Sequence, residues 1–147
     1  MYKVIVVGTD GSERASAALK EAFSLAKLTG ATLHVVHVVR LVSMASAGYG
    51  DPGAIVTANA AVRESGEHVC ANVVAEAERQ GLSVETHNVD GDPADMLIDV
   101  AETVHADLLV IGNRGMTGVK RFVLGSVPNK VAHHCPCNLL IVNTDTD

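Results

Sequence analysis

Hydrophobic positions in this chain fall into two kinds of block that alternate from one end to the other. Lys3 to Thr9 is a β-branched run without polar alternation. Such a run predicts a strand buried on both faces, since alternation arises only where one face meets water. Asp10-Gly11-Ser12 breaks the run, and either polar side chain can cap a helix that follows. In that helix Leu19, Ala22, Phe23 and Ala26 recur at helical spacing and define one apolar face. Gly30 ends it, and Thr32 to Val39 predicts a second strand.

Residues Arg40 to about Asn59 are rich in Gly, Ser and Ala and read as a long connection, a kind of segment that often carries function. A helix is predicted from about Ala60 to Gln80, with Val62, Val69, Val73 and Ala77 on one side and Gly81 as its stop. Leu82 to Val89 predicts the third strand. Asp92-Pro93 then sets a capping residue ahead of a proline at the first helical position. Leu97, Ile98, Ala101 and Val104 form the face that this helix buries. Asp107 to Gly112, with Leu-Leu-Val-Ile at its centre, predicts a fourth strand. A glycine-rich loop, a short helix from about Val127 to His134 and a last strand from Asn138 to Val142 complete the chain.

Five strands alternating with four helices place the protein in the α/β class, as an open parallel sheet with helices on both faces. Sheets of this kind take ligands beyond the carboxyl ends of their strands, where strand order reverses. That points to the strand ends around Asp10, Val38 and Gly112, although the pattern leaves the strand order open. At 147 residues the chain fits one domain over 1–147, large enough to hold a core without metal or disulfide.

Composition sharpens this picture in three places. The 48% hydrophobic fraction contains only 3% aromatics and no Trp, so the filling between helices and sheet is aliphatic. A formal charge of -6 argues against a general nucleic-acid or anionic-membrane partner. Yet no acid lies between Asp107 and Asp145, while Arg114, Lys120, Arg121 and Lys130 do, which suggests a local anion site. The first apolar run is too short for a signal peptide, and no stretch approaches the roughly 20 apolar residues of a membrane span. Three cysteines, an odd number, suit a reducing compartment, and the expected location is the cytoplasm.

Chemistry concentrates in Gly112-Asn113-Arg114-Gly115, nine further residues, and Gly125-Ser126. Glycines permit close backbone approach to a ligand, and free N–H groups at a helix start attract anions. Ser126 can serve as N-cap or donate its hydroxyl to a phosphate oxygen, and Pro128 in the first turn does little harm. Strand, glycine loop and helix start in series predict a phosphate cradle. A turn-rich connector ahead of a capped helix has the same local signature, so the residues alone leave both readings open. Neither a Walker A loop nor a G-x-G-x-x-G turn is present.

With these motifs the chain resembles the universal stress protein family over essentially its whole length. The likeness rests on Val-Gly-Thr-Asp-Gly-Ser at 7–12, Val-His-Val at 36–38, Gly-Asp-Pro at 91–93 and Asp-Leu-Leu-Val-Ile-Gly at 107–112. Gly112-x2-Gly115-x9-Gly125-Ser126 is similar to the motif of its ATP-binding branch. The resemblance implies a Rossmann-like sheet of order 3-2-1-4-5, with nucleotide above strands 1 and 4. It implies a homodimer, commonly formed through the last strand, here Leu139 to Val142. By the same resemblance Asp10 lies near ribose and adenine, with Thr9 beside it among the cofactor-binding residues, Val38 meets adenine through its backbone, and Ile111 and Gly112 pass close to the sugar. Arg114 stands in the loop and Gly115 folds it under the phosphates. The amides of Gly125, Ser126 and Val127, with the Ser126 hydroxyl, hold phosphate oxygens. Asn113-Arg114 departs from the Ser-His or Ser-Arg pair often found there.

The implied ligand is ATP, with AMP, ADP or cyclic AMP as alternatives, and Mg2+ or Mn2+ carried on the phosphates. The implied role is a nucleotide-dependent regulator or sensor in a stress response. A cyclic AMP-binding relative, a slow ATP hydrolase and a nucleotide-free dimeric interaction module stay open beside it. No Ser–His–Asp order, paired carboxylates or activated cysteine stands out, so no catalytic residue is assigned and at most slow hydrolysis or autophosphorylation is expected. His37, in a buried strand, reads as a core histidine. His133, His134, Cys135 and Cys137 offer ligand atoms without the second cluster that zinc sites usually need, so no metal ligands are assigned.

Overall fold

The computed structural model describes residues 1–43, 50–113 and 124–144. Its elements run β1 (Val4–Thr9), α1 (Ala15–Thr29), β2 (Thr32–Val39), α2 (Pro52–Arg79), β3 (Val84–Asp90), α3 (Pro93–Thr103), β4 (Leu108–Gly112), α4 (Ser126–His134) and β5 (Asn138–Val142). The five strands pair in parallel in the order β3-β2-β1-β4-β5, so the sheet has the order that the resemblance implied. Strand order reverses between β1 and β4, which opens a crevice at their carboxyl ends.

Successive strand residues point to opposite faces, and this divides the core into two layers. Ile5, Val7, Leu33, Val35 and Val110 pack beneath Ala22 and Phe23 of α1 and Val73 and Ala77 of α2. Val6, Val36, Leu109 and Ile111 pack beneath Ala94, Leu97 and Ala101 of α3 and Val131 of α4. The inner strands β1, β2 and β4 are therefore covered on both sides, which is why they read as continuous apolar runs. The edge strands β3 and β5 are mostly half-buried.

Two elements begin two or more residues from where the sequence pattern put them, while β1, β4 and α4 shift by a single residue. Helix α2 starts at Pro52, well before Ala60, because Asp51 caps it: its Oδ1 accepts the Gly53 N–H at 3.0 Å. Its buried stripe is Gly66, Cys70, Val73 and Ala77, while Val62 is exposed and Val69 half-buried. Small residues take the stripe because the helix lies close on β3; a Cβ at Gly66 would stand 2.2 Å from Asn88 Oδ1. Strand β3 starts at Val84 because the Leu82 N–H turns back to the Ala77 carbonyl at 2.9 Å.

Helix α3 begins as the Asp-Pro pair predicts, with Asp92 Oδ2 accepting the Asp95 N–H at 3.1 Å. Lys130 of α4 donates to Asp92 at 3.2 Å and pairs with Asp95 at 2.8 Å, joining the two helices. Asp92→Ala is expected to cost about 1 kcal/mol at neutral pH, the usual worth of a cap. The Asp95 N–H holds the Asp92 carboxyl below its ordinary value; slight burial opposes, and Lys130 and Arg40 add to the lowering. A carboxyl lowered by folding stabilises above its unfolded pKa and ceases to as pH falls through its folded pKa. Urea unfolding of both proteins checks this, and the difference between them should shrink on acidification.

Candidate functional site

Beyond the carboxyl ends of β1 and β4 lies a cleft of about 290 Å³. Its apolar wall comes from Val36 and Val38 of β2, Leu97 of α3 and Ile111 of β4, and Val127 and Pro128 of α4 close one end. Gly8 brings α3 close to β1: a Cβ there would stand 2.9 Å from Leu97 Cδ2. The turn after β1 needs Gly11, whose φ of +78° and approach to Val69 of α2 leave no room for a side chain.

Within that turn the Thr9 hydroxyl oxygen accepts the Gly11 N–H at 3.1 Å, and Asp10 Oδ1 accepts the Ser12 N–H at 2.9 Å. Ser12, rather than Asp10, reaches the start of α1, where its Oγ accepts the Ala15 N–H at 3.2 Å. Asp10 therefore faces the cleft mouth as an exposed carboxylate, and no other carboxylate lines the cleft among the described residues.

The start of α4 is built differently from the sequence expectation. Gly125, not Ser126, holds the N-cap position, and the Gly125 N–H donates to the Asn113 carbonyl at 3.1 Å. Gly125 lines the cleft, but its amide is taken by the protein's own backbone. Pro128 has no N–H to offer. Of the usual orphan donors, the amides of Ser126 and Val127 remain, with no acceptor among the described residues. Ser126 is exposed beside the cleft, and its side chain makes no cap bond.

Asn113 was not assigned a site role from sequence, yet it assembles this end. Its N–H donates to the Val142 carbonyl at 2.9 Å, and its Oδ1 accepts the Thr144 N–H at 3.0 Å and hydroxyl at 2.8 Å. One residue thus joins the ends of β4 and β5 to the first turn of α4. A polar residue directly after a buried inner strand was the available signal.

The structure brings Thr9, Asp10, Val38, Ile111, Gly112, Gly125, Ser126 and Val127 around this one cleft. Arg114 and Gly115 lie outside the described residues, as do Lys120 and Arg121. Lys130 does not serve an anion site, because Asp92 and Asp95 of α3 neutralise it. An acid-free stretch of sequence is not acid-free in space.

Elsewhere, His37 is buried and hydrogen-bonds Asn88 Oδ1 through Nδ1 at 3.0 Å, as suits a core histidine. Cys135 and Cys137 lie with sulfurs 3.9 Å apart; burial, reinforced by Cys135, pushes the Cys137 thiol up to about 12, which disfavours the thiolate. Among the described residues no helix is long and apolar enough to cross a membrane.

Comparison with known proteins gives a consistent likeness. Residues 1–143 match the profile of the Universal stress protein family. Universal stress protein MJ0531 of Methanocaldococcus jannaschii is 33% identical over 142 residues, covering 97% of this chain and 82% of that protein. A universal stress protein solved in complex with cAMP is 32% identical, covers 98% of each chain and superposes with a TM-score of 0.72. The universal stress protein of Archaeoglobus fulgidus in complex with dAMP is 26% identical over 97% of this chain and 98% of its own, with a TM-score of 0.66.

Proposed function

This chain belongs to the universal stress protein family, and on that premise we propose that its cleft binds an adenine nucleotide, ATP by preference, as a stress-response regulator or sensor. The supporting observation is one cleft with an apolar wall at one end and two unclaimed amides at the other. Flat aromatic bases favour the first environment and phosphate oxygens the second. Two neighbours above 25% identity were solved with adenine nucleotides, cAMP and dAMP, which supports the same reading.

In this reading Val38 meets the adenine through its backbone, Asp10 and Thr9 stand by the ribose, and Ile111 and Gly112 flank the sugar. The Ser126 and Val127 amides and the Ser126 hydroxyl hold phosphate oxygens, and Arg114 and Gly115 complete the phosphate side. Mg2+ or Mn2+ rides on the phosphates, since Asp10 is the sole lining carboxylate among the described residues. β5, an edge strand with half-buried Leu139 to Val142, pairs with a second copy to form a homodimer in the cytoplasm.

Two free amides suit a single phosphate group, and the relative solved with cAMP favours that nucleotide as a second reading. Calorimetric titration with ATP plus Mg2+, followed by competition with cAMP, separates the two. Saturable one-to-one ATP binding that cAMP displaces only weakly is the expected result. Binding of neither nucleotide would sink both readings.

A further inference from the structure

Strands β2 and β3 bring together three ligand-bearing side chains that are far apart in sequence. His34 stands opposite Glu85 in the parallel register, and Val36 stands opposite His87. With a period of two along each strand, His34, Glu85 and His87 share the face of the sheet that carries Val36 and α3. His34 Nδ1 lies 3.0 Å from His87 Nε2 and 3.7 Å from Glu85 Oε2. One donor atom from each residue lies within 4.8 Å of the others, the one such grouping among the described residues.

We propose that His34, Glu85 and His87 form a binding site for a divalent transition ion of the Zn2+ class, with water completing its coordination. Metal–nitrogen bonds of about 2.0–2.1 Å in a tetrahedral site set neighbouring donors roughly 3.3 Å apart, and the two shorter separations bracket that spacing. His34 is buried and fixed, His87 is half-buried, and Glu85 is exposed on the edge strand. The Glu85 side chain is solvent-exposed, so closing the longest separation calls for its rotation rather than movement of a packed group. Burial lowers the pKa of His34; Glu85 opposes this and His87 reinforces it.

A bare hydrogen bond between the two imidazoles accounts for the 3.0 Å contact alone. It does not involve Glu85, whose carboxylate stands opposite His34 on the same face and 3.7 Å from the same nitrogen. Two imidazoles and one carboxylate suit Zn2+ or Co2+, whereas Mg2+ prefers an all-oxygen shell. This site is thereby chemically separate from a cation carried on nucleotide phosphates.

The test is a titration of the full, untagged, nucleotide-free protein with Co2+, followed by visible absorption and displacement with Zn2+. One equivalent should bind with the intense bands of a tetrahedral site, and Mg2+ should not displace it. His87→Ala and Glu85→Gln should each weaken Zn2+ affinity at least about 10-fold, and Cys135→Ser/Cys137→Ser should leave it unchanged. Glu85→Gln is exposed and keeps the test alive should His87→Ala fail to fold. Absence of stoichiometric Co2+ binding, retention of affinity in Glu85→Gln, or loss of binding in the cysteine variant would each overturn the assignment.

Discussion

Gly125→Asp should weaken adenine-nucleotide binding by at least about 100-fold while leaving the fold as stable as before. Gly125 is the N-cap of α4, with φ of −59° and ψ of 164°, a conformation open to any L residue. A Cβ there would lie 3.4 Å from Pro128 Cδ and 3.5 Å from the Asn113 carbonyl oxygen, which is ordinary contact. Aspartate is among the best N-cap residues and its charge suits a helix start, so folding should not suffer. Binding should suffer twice. The new carboxylate claims an amide from the same first turn that holds phosphate, and it sets like charge beside the ligand. Two unit charges 4 Å apart interact by about 4 kcal/mol at an effective dielectric of 20, more than the roughly 2.7 kcal/mol that 100-fold requires. Calorimetric titration beside thermal unfolding reads both quantities. Gly125→Ala, which adds no charge, should bind within a few-fold of the parent. A folded Gly125→Asp protein with unchanged affinity would remove the phosphate end from α4.

Leu109→Ala is the substitution expected to harm stability most, by about 3 kcal/mol. Leu109 is wholly buried on β4, beside Val6 of β1 and beneath α3 and α4. For a chain of this size the loss corresponds to a fall of roughly 10 °C in thermal midpoint. Leu139, its partner on the edge strand β5, is only half-buried, and Leu139→Ala should cost less than half as much in the monomer. Thermal unfolding at several protein concentrations also bears on the proposed dimer. A Leu139→Ala penalty that grows with protein concentration is expected if β5 pairs with a second copy.

The sheet was largely legible because its inner strands are buried on both faces. Thr32 to Val39 and Asn138 to Val142 begin and end in the structure where the pattern put them. The start of α2 was missed because residues 52–59 are uncharged and mostly exposed, with Ile55 and Val56 adjacent rather than at helical spacing, so they show no apolar stripe. The Asp51-Pro52 pair that begins this helix is the same signal that placed α3 correctly, and composition outweighed it. Val62 was put on the wrong face because apolar spacing alone cannot tell which side of a helix meets the sheet. Gly66 against Asn88 decides that.

The candidate site divides in the same way. That a cleft lies at the ends of β1, β2 and β4 follows from parallel topology, and Thr9, Asp10, Val38, Ile111 and Gly112 line it. Which amides stay free does not follow from sequence. That depends on the Asn113 carbonyl meeting Gly125 and on proline standing third in the helix. Lys130 lost its anion role to Asp92, 38 residues away at the start of another helix, and to Asp95 beside it, and His34 meets His87 across 53 residues of chain.

Local physics accounts for what the amino-acid order determined by itself. Buried strands, capped helix starts and glycine turns depend on neighbours within a few positions. Tertiary structure alone decided which donors remain unpaired, which charges are neutralised and which imidazoles converge. Each of those outcomes depends on a partner delivered by a different element, and distance in space is not encoded in spacing along the chain.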